Sequence, residues 1–187
     1  VTSLIQLIAD KLDKKCSVYG ITPLNNTGDK FFEIPNHDYE YEIDRLYKRF
    51  NLKKPTIIKG LSNDEKIIQE AINNSPYDCI FIDGNHEYNY VVNDIERYIP
   101  MLREGGILVV DDCCSKYQLK GFKGYPEVSK AVDERLPPYA YNDNFEYLFN
   151  VSHDRVWRKI KNDECKNLLQ LCMIVKNSSY CIKNMLE

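Results

Sequence analysis

Two short apolar runs that end abruptly in carboxylates constrain this chain most. One is Tyr77-Asp78-Cys79-Ile80-Phe81-Ile82-Asp83-Gly84-Asn85-His86; the other is Leu108-Val109-Val110-Asp111-Asp112. Runs this short and this apolar read as strands covered on both faces, as in a parallel sheet. In open α/β sheets, ligands bind beyond the carboxyl ends of the strands. Asp83, His86, Asp111 and Asp112 should therefore meet in one crevice. Three carboxylates and an imidazole there cost free energy unless they hold a metal, a ligand or one another.

The rest of the chain supplies the elements such a sheet needs. Leu4, Ile5, Ile8 and Leu12 recur at helical spacing over residues 1–12. Ser17 to Ile21 reads as a strand stopped by Thr22-Pro23, and residues 24–38 as a polar loop. A helix follows over Tyr39–Phe50, then a strand over Thr56–Gly60. Ser62 or Asn63 is expected to cap the next helix, which runs to about Asn73, with Asp64 and Glu65 placed to suit its dipole. After the strand ending at Ile82 come a helix over Val91–Leu102, stopped by Gly105-Gly106, and the strand Ile107–Val110. Glu127–Leu136 reads as a helix ended by Pro137-Pro138. Phe145–Val151 and Arg155–Ile160 read as an antiparallel pair around Ser152-His153-Asp154. The order β-α-β-α-β-α-β plus a hairpin predicts an α/β fold, a Rossmann-like doubly wound, mostly parallel sheet with an antiparallel C-terminal hairpin. Residues 161–187 break the pattern. Lys161 to Glu164 reads as a linker, and Leu171 to Asn177 as a new buried strand before a helix.

With 187 residues the chain is long enough for one α/β domain with a full core. A net charge of -3 excludes a general nucleic-acid binder, which needs a basic surface. The cluster from Arg155 to Lys159 is read as a solvated strand edge, and Trp157 as a sheet residue. No apolar run is long enough to span a bilayer. The seven cysteines show no C-x-x-C spacing, and Cys79 sits inside an apolar strand. Scattered thiols favour a reducing compartment, hence a cytoplasmic location. The chain opens on Val1 rather than Met and with no secretory signal, so further residues are expected before it.

The stretch YDCIFIDGNHEYNYVVNDIERYIPMLREGGILVVDD resembles the centre of class I S-adenosylmethionine-dependent methyltransferases. It is most similar to the metal-dependent sugar O-methyltransferase branch, with its macrocin-type and cephalosporin-hydroxylase-like members. KGYPEVSKAVDE and FEYLFNVSHDRVWRKI resemble the same branch, so the resemblance spans about residues 1–160. Two features depart from the family. Its first strand and glycine-rich cofactor loop are missing ahead of the first helix. Thr22 stands where an acidic residue often holds the ribose hydroxyls, and a neutral hydroxyl binds them more weakly. The tail LCMIVKNSSYCIKNMLE resembles the opening strand and helix of a GT-A glycosyltransferase domain, which implies a unit of residues 1–160 followed by a linker and a glycosyltransferase-like start at 161–187.

The resemblance implies S-adenosylmethionine as cofactor, Mg²⁺ as metal and a sugar or nucleotide-sugar hydroxyl as acceptor. It assigns His86 as general base and Asp83 as a catalytic residue that also faces the cofactor. Thr22, Ser62 and Asn63 fall on the cofactor side; Asp83, Asp111 and Asp112 fall on the metal. These are the ligand types a hard divalent cation takes. The plainer readings are local: His86 bonding a loop carbonyl, Asp112 capping the next turn, Asp83 bonding backbone amides, Ser62 and Asn63 capping a helix. His37 and His153 lack neighbouring carboxylate sets in sequence. His153 is read as a structural or exposed turn residue, and His37 as part of a loop able to cover the acceptor. Two alternatives stand beside the O-methyltransferase: a metal-independent N-methyltransferase acting on an amino sugar, and a non-catalytic scaffold domain of a multidomain glycosyltransferase. The abundant tyrosines leave room for a homo-oligomer interface.

Overall fold

The computed structural model describes residues 2–25, 38–116, 121–160 and 169–175. Its elements follow the expected alternation. They are α1 (Thr2–Lys11), β1 (Cys16–Thr22), α2 (Tyr39–Arg49), β2 (Thr56–Lys59), α3 (Glu65–Asn73), β3 (Tyr77–Asp83), α4 (Tyr88–Tyr98), β4 (Leu102–Val110), α5 (Pro126–Asp133), β5 (Phe145–Val151), β6 (Asp154–Lys159) and β7 (Leu169–Val175). One seven-stranded sheet has the order β2-β1-β7-β3-β4-β6-β5. β1, β2, β3, β4 and β7 pair in parallel, and the β5–β6 hairpin adds the antiparallel edge through β6 on β4. The mixed, mostly parallel sheet is the predicted architecture.

The two faces of β3 explain its unbroken apolar sequence. Successive residues of a strand point to opposite sides. Ile80 and Ile82 enter a core with Ile67, Ile68 and Ala71 of α3, Val91, Ile95 and Tyr98 of α4, and Val128, Ala131 and Val132 of α5. Cys79 and Phe81 face the other side, against Ala9, Val18 and Ile5. Each fully buried aliphatic side chain of this kind stabilises the fold by about 1.5–3 kcal/mol. Burial on both faces leaves only the strand ends to carry polar side chains.

The helix ended by Pro137-Pro138 in expectation stops earlier, at Asp133, and three further boundaries differ for local reasons. Asp64 caps α3, its carboxylate accepting from the Lys66 amide at 2.9 Å, so neither Ser62 nor Asn63 is the cap. α4 starts earlier, at Tyr88, and gives way to a single 3₁₀ turn, Ile99–Met101, that contains Pro100. Gly105 and Gly106 then lie inside β4, where Gly105 has φ +70°. They accommodate an irregularity: Tyr77 is level with Leu102, but Cys79 with Ile107. The extra residues of β4 bulge out of the ladder, which is what glycine inside a strand often marks.

The tail strand has a different place from the one its sequence suggests. Among the described residues no strand precedes α1, yet the slot between β1 and β3 is filled. β7 lies there, in register from Cys16↔Leu169 to Ile21↔Ile174 on one side and from Cys79↔Leu171 to Asp83↔Val175 on the other. An empty slot would leave two rows of buried, unpaired backbone groups, and a continuous apolar run is the segment able to pair both. Expected as the opening of a separate unit, this strand is a central member of the same sheet. His37, the linker expected over Lys161 to Glu164 and the helix expected after β7 lie outside the described residues. No helix among the described residues is long and apolar enough to cross a membrane.

Candidate active site

β3 ends at Asp83, and the chain turns through Gly84, Asn85 and His86 into α4. Asn85 shapes this turn by accepting the Glu87 amide on its side chain at 2.8 Å. Glu127 of α5 receives the Tyr88 amide at 2.9 Å, filling the end of α4 that Glu87 does not cap. His86 is held from two sides. Its ring stacks on Tyr125 at 4.0 Å between centroids, and its Nε2 lies 3.1 Å from Asp112 Oδ2.

β4 delivers the other carboxylates. The Asp111 amide continues the ladder to the Ile82 carbonyl at 2.9 Å, which puts Asp111 beside the end of β3. Its side chain accepts the Asp112 amide at 2.7 Å. Asp112 then takes a left-handed conformation, φ +57°, uncommon for a residue with a side chain. The neighbouring segment holds it there. Tyr125 donates its amide to the Asp112 carbonyl at 2.8 Å, and Gly124, itself at φ +85°, passes so close that a Cβ would strike that carbonyl. Glycine is required at 124 by space as well as by conformation.

The turn after β4 is clamped from beneath by Arg155, the first arginine of the cluster expected to be a solvated edge. It is fully buried instead. Its guanidinium donates to the Cys113 carbonyl through Nε at 2.7 Å and through a second, shorter bond, and to Asp133 of α5 at 2.7 Å. Lys116 completes the charge balance on Asp133 at 2.7 Å. Ser129, also buried, accepts the Ser115 amide at 2.9 Å. β4, α5 and β6 thus position Asp111 and Asp112 through one polar network. Trp157 is a buried sheet residue, as expected, with its indole donating to the Pro137 carbonyl at 2.6 Å.

His153 is the residue that sequence reasoning missed. The β5–β6 hairpin carries it over the crevice, where its carbonyl receives the Cys113 amide at 2.9 Å. Its Nε2 lies 3.2 Å from Asp111 Oδ1, 3.8 Å from Asp112 Oδ1 and 3.7 Å from Asp154 Oδ1. Phe122 meets both the Tyr125 and His153 rings edge-on, at 5.6 and 5.3 Å between centroids. Its side chain is more than half exposed, beside the crevice. The only sequence signal was a His-Asp pair in a predicted hairpin turn, which does not say which strand end the turn faces.

Among the described residues, two trios have ligand atoms within 4.8 Å of one another: Asp83–His86–Asp112 and Asp111–Asp112–His153. The expected trio of Asp83, Asp111 and Asp112 is thus divided, with Asp112 common to both parts. Asp154 adds a further acid. Burial, then the Asp111 carboxylate against it and the charge of Asp112, push its carboxyl up to about 9. A carboxyl raised in this way is one whose charged form a bound cation would stabilise. Oxygen donors in excess with imidazoles at the margin form a donor set that fits a divalent metal.

The residues expected on the cofactor side sit elsewhere on the same sheet edge and make local contacts. Thr22, buried at the end of β1, accepts the Leu24 amide on its hydroxyl at 3.2 Å, and its carbonyl receives the Gly60 amide at 3.0 Å. Ser62 lies against the buried carboxylate of Asp94, and its carbonyl accepts the Tyr98 hydroxyl at 2.9 Å. Asn63 is exposed. Among the described residues, no strand-to-helix junction carries a glycine-rich loop.

Comparison with known proteins finds the following similarities. The O-methyltransferase NovP superposes with a TM-score of 0.54 at 15% identity, over 84% of this chain and 66% of that one. The MycE methyltransferase of the mycinamycin biosynthetic pathway, in complex with Mg and SAH, gives a TM-score of 0.49 at 16% identity, over 98% of this chain and 54% of that one. An uncharacterized protein of Acanthamoeba polyphaga mimivirus, R132, is 33% identical over an alignment of 114 residues that covers 54% of this chain and 48% of that protein. The chain therefore spans about half the length of this curated relative. The methyltransferase domain family matches residues 8–113, a stretch running from α1 through the Asp111-Asp112 turn. That match takes in most of the parallel sheet and Asp83, His86, Asp111 and Asp112, and this chain belongs to the methyltransferase domain family.

Proposed function

We propose that this chain is the core of an S-adenosylmethionine-dependent O-methyltransferase acting on a sugar hydroxyl. Family membership supports the reaction class. The observation that carries the finer reading is the convergence of Asp83, His86, Asp111 and Asp112, from the ends of two adjacent parallel strands, on one crevice. In the reaction a hydroxyl oxygen forms a bond to the methyl carbon, the sulfur–carbon bond of the cofactor breaks, and the hydroxyl proton leaves.

His86 is the group suited to take that proton near neutral pH. Asp112, 3.1 Å from its ring, stabilises the imidazolium that results, and the Tyr125 stack fixes the ring plane. Asp83 and Asp112 supply the oxygen ligands for a divalent cation such as Mg²⁺, with Asp111 adjoining them. Such an ion, when bound, orients a hydroxyl and lowers its pKa. Thr22, Ser62, Asn63 and Asp83 line the edge assigned to the cofactor. A sugar acceptor is supported by the resemblance of the motifs and by Phe122, an exposed aromatic face beside the crevice. A cytoplasmic location fits the free thiols of Cys16, Cys79, Cys113 and Cys114. A glycosyltransferase-like continuation after residue 160 rests on the tail's resemblance, and the place of β7 in this sheet weighs against it.

Calorimetry with S-adenosylmethionine, followed by methyl transfer to a panel of nucleotide sugars with and without chelator, tests the reading. Binding, transfer that needs the metal, and its loss in His86→Ala are the expected results. Transfer to an amino sugar that persists in chelator selects the N-methyltransferase. Absence of cofactor binding selects a scaffold domain, the reading favoured by the locally engaged Thr22 hydroxyl.

A further inference from the structure

The proposed reaction leaves His153 without a role, although the hairpin places it against two of the crevice carboxylates. Asp112 faces both ways. Its Oδ2 lies on the His86 side at 3.1 Å, and its Oδ1 on the His153 side at 3.8 Å. Asp111 Oδ1 lies 3.2 Å from the same His153 nitrogen. Asp154 Oδ1, shut off from solvent at 3.7 Å from that nitrogen, has no hydrogen-bond donor among the described residues. A carboxylate presenting one oxygen to each of two ligand sets is the geometry of a bridge between metal ions, which in two-metal sites stand about 3.5–4 Å apart.

We propose that Asp111, Asp112 and His153 form a second divalent-cation site, joined through the Asp112 carboxylate to the site at Asp83 and Asp112. The proposal rests on the first site described under the proposed function and adds a nitrogen ligand from a separate element. Imidazole suits Zn²⁺ better than Mg²⁺, while Mn²⁺ shares the carboxylate preference of Mg²⁺. The hairpin therefore selects the metal as well as holding it. His153 also closes the crevice from the antiparallel side, so the second ion faces the exposed Phe122 ring, where an acceptor with neighbouring hydroxyls could reach it.

Stripped protein titrated with Mn²⁺ tests this without any assay of methyl transfer. Calorimetry should give two ions per chain, and paramagnetic resonance should show less signal than the bound ions would give if isolated, because bridged ions couple. His153→Ala and the more conservative His153→Gln should each bind one ion, with the isolated-ion signal restored and the melting temperature of the metal-free protein unchanged. Asp83→Asn should also retain one ion. A single ion in the wild type, lost in Asp83→Asn but kept in His153→Ala, overturns the second site and leaves the first intact. No Mn²⁺ in the wild type overturns both, and that outcome needs no variant to fold.

Discussion

The two halves of the sheet's carboxyl edge use their polar side chains in opposite ways. On the side formed by β3, β4 and the β5–β6 hairpin, Asp83, His86, Asp111, Asp112 and His153 point at one another. On the side formed by β1 and β2, Thr22 satisfies a nearby backbone amide and Ser62 lies against a buried carboxylate. The first half keeps ionisable groups together at a cost in stability. The second uses its polar groups to finish strand ends. Substitutions should separate accordingly, with function lost on one side and stability altered on the other.

The largest effect is expected at His86 and Asp112. His86→Ala and Asp112→Asn should each lower methyl transfer by about 10²–10⁴-fold, the usual weight of general acid–base catalysis, with little change in the unfolding midpoint. Equal losses of activity and stability would erase the contrast between the two halves. Arg155→Met should be as large but of the other kind. It removes a buried charge that binds Cys113 and Asp133, and about 3 kcal/mol of stability should go with it in urea unfolding. Lys116, still on Asp133, should keep the loss from being larger.

Asp94 should give a smaller effect with a distinct pH signature. Burial pushes its carboxyl up to about 6 from an ordinary value near 3.8. Where the unfolded chain would ionise this acid and the folded one resists, folding carries a penalty; it begins near the unfolded value and is complete above the folded one. Stability from this residue is therefore full below about pH 4 and lost as pH rises to about 6. Asp94→Asn should stabilise the protein by roughly 3 kcal/mol at pH 7 and by nothing below pH 4, since each tenfold change in a proton-binding constant is about 1.4 kcal/mol. A gain that does not vary with pH would mean that packing, rather than charge, sets the effect. The smallest effect is expected at Thr22. Thr22→Val deletes one hydrogen bond to a loop amide and should cost about 1 kcal/mol in stability. A tenfold or greater fall in S-adenosylmethionine affinity would show that the quieter half holds the cofactor through this side chain after all.

Much of the fold was legible because it rests on local signals. Period-2 burial, apolar runs and proline stops placed the helices and six strands, and the motif around Asp83 and His86 marked the site. The misplaced boundaries also have local causes. Asp64 was noted only as suiting the helix dipole, but it is the residue whose carboxylate reaches the first free amide. Gly105-Gly106 carries the mark of a helix stop, yet here it serves a bulge within β4.

The sequence by itself determined that β3 and β4 are buried on both faces and end in carboxylates, because an unbroken apolar run can be satisfied only between two layers. Tertiary structure alone decided which groups those carboxylates meet. His153 reaches Asp111 because the hairpin pairs β6 with β4, and nothing near residue 153 encodes that partner. Arg155 is buried because Cys113 and Asp133 converge on it from other elements. β7 lies between β1 and β3 because both present unpaired backbone, which makes no demand on side-chain identity beyond apolarity. Periodicity records which face of an element is covered. It carries no information about which distant element covers it, and in this chain the chemistry depends on that choice.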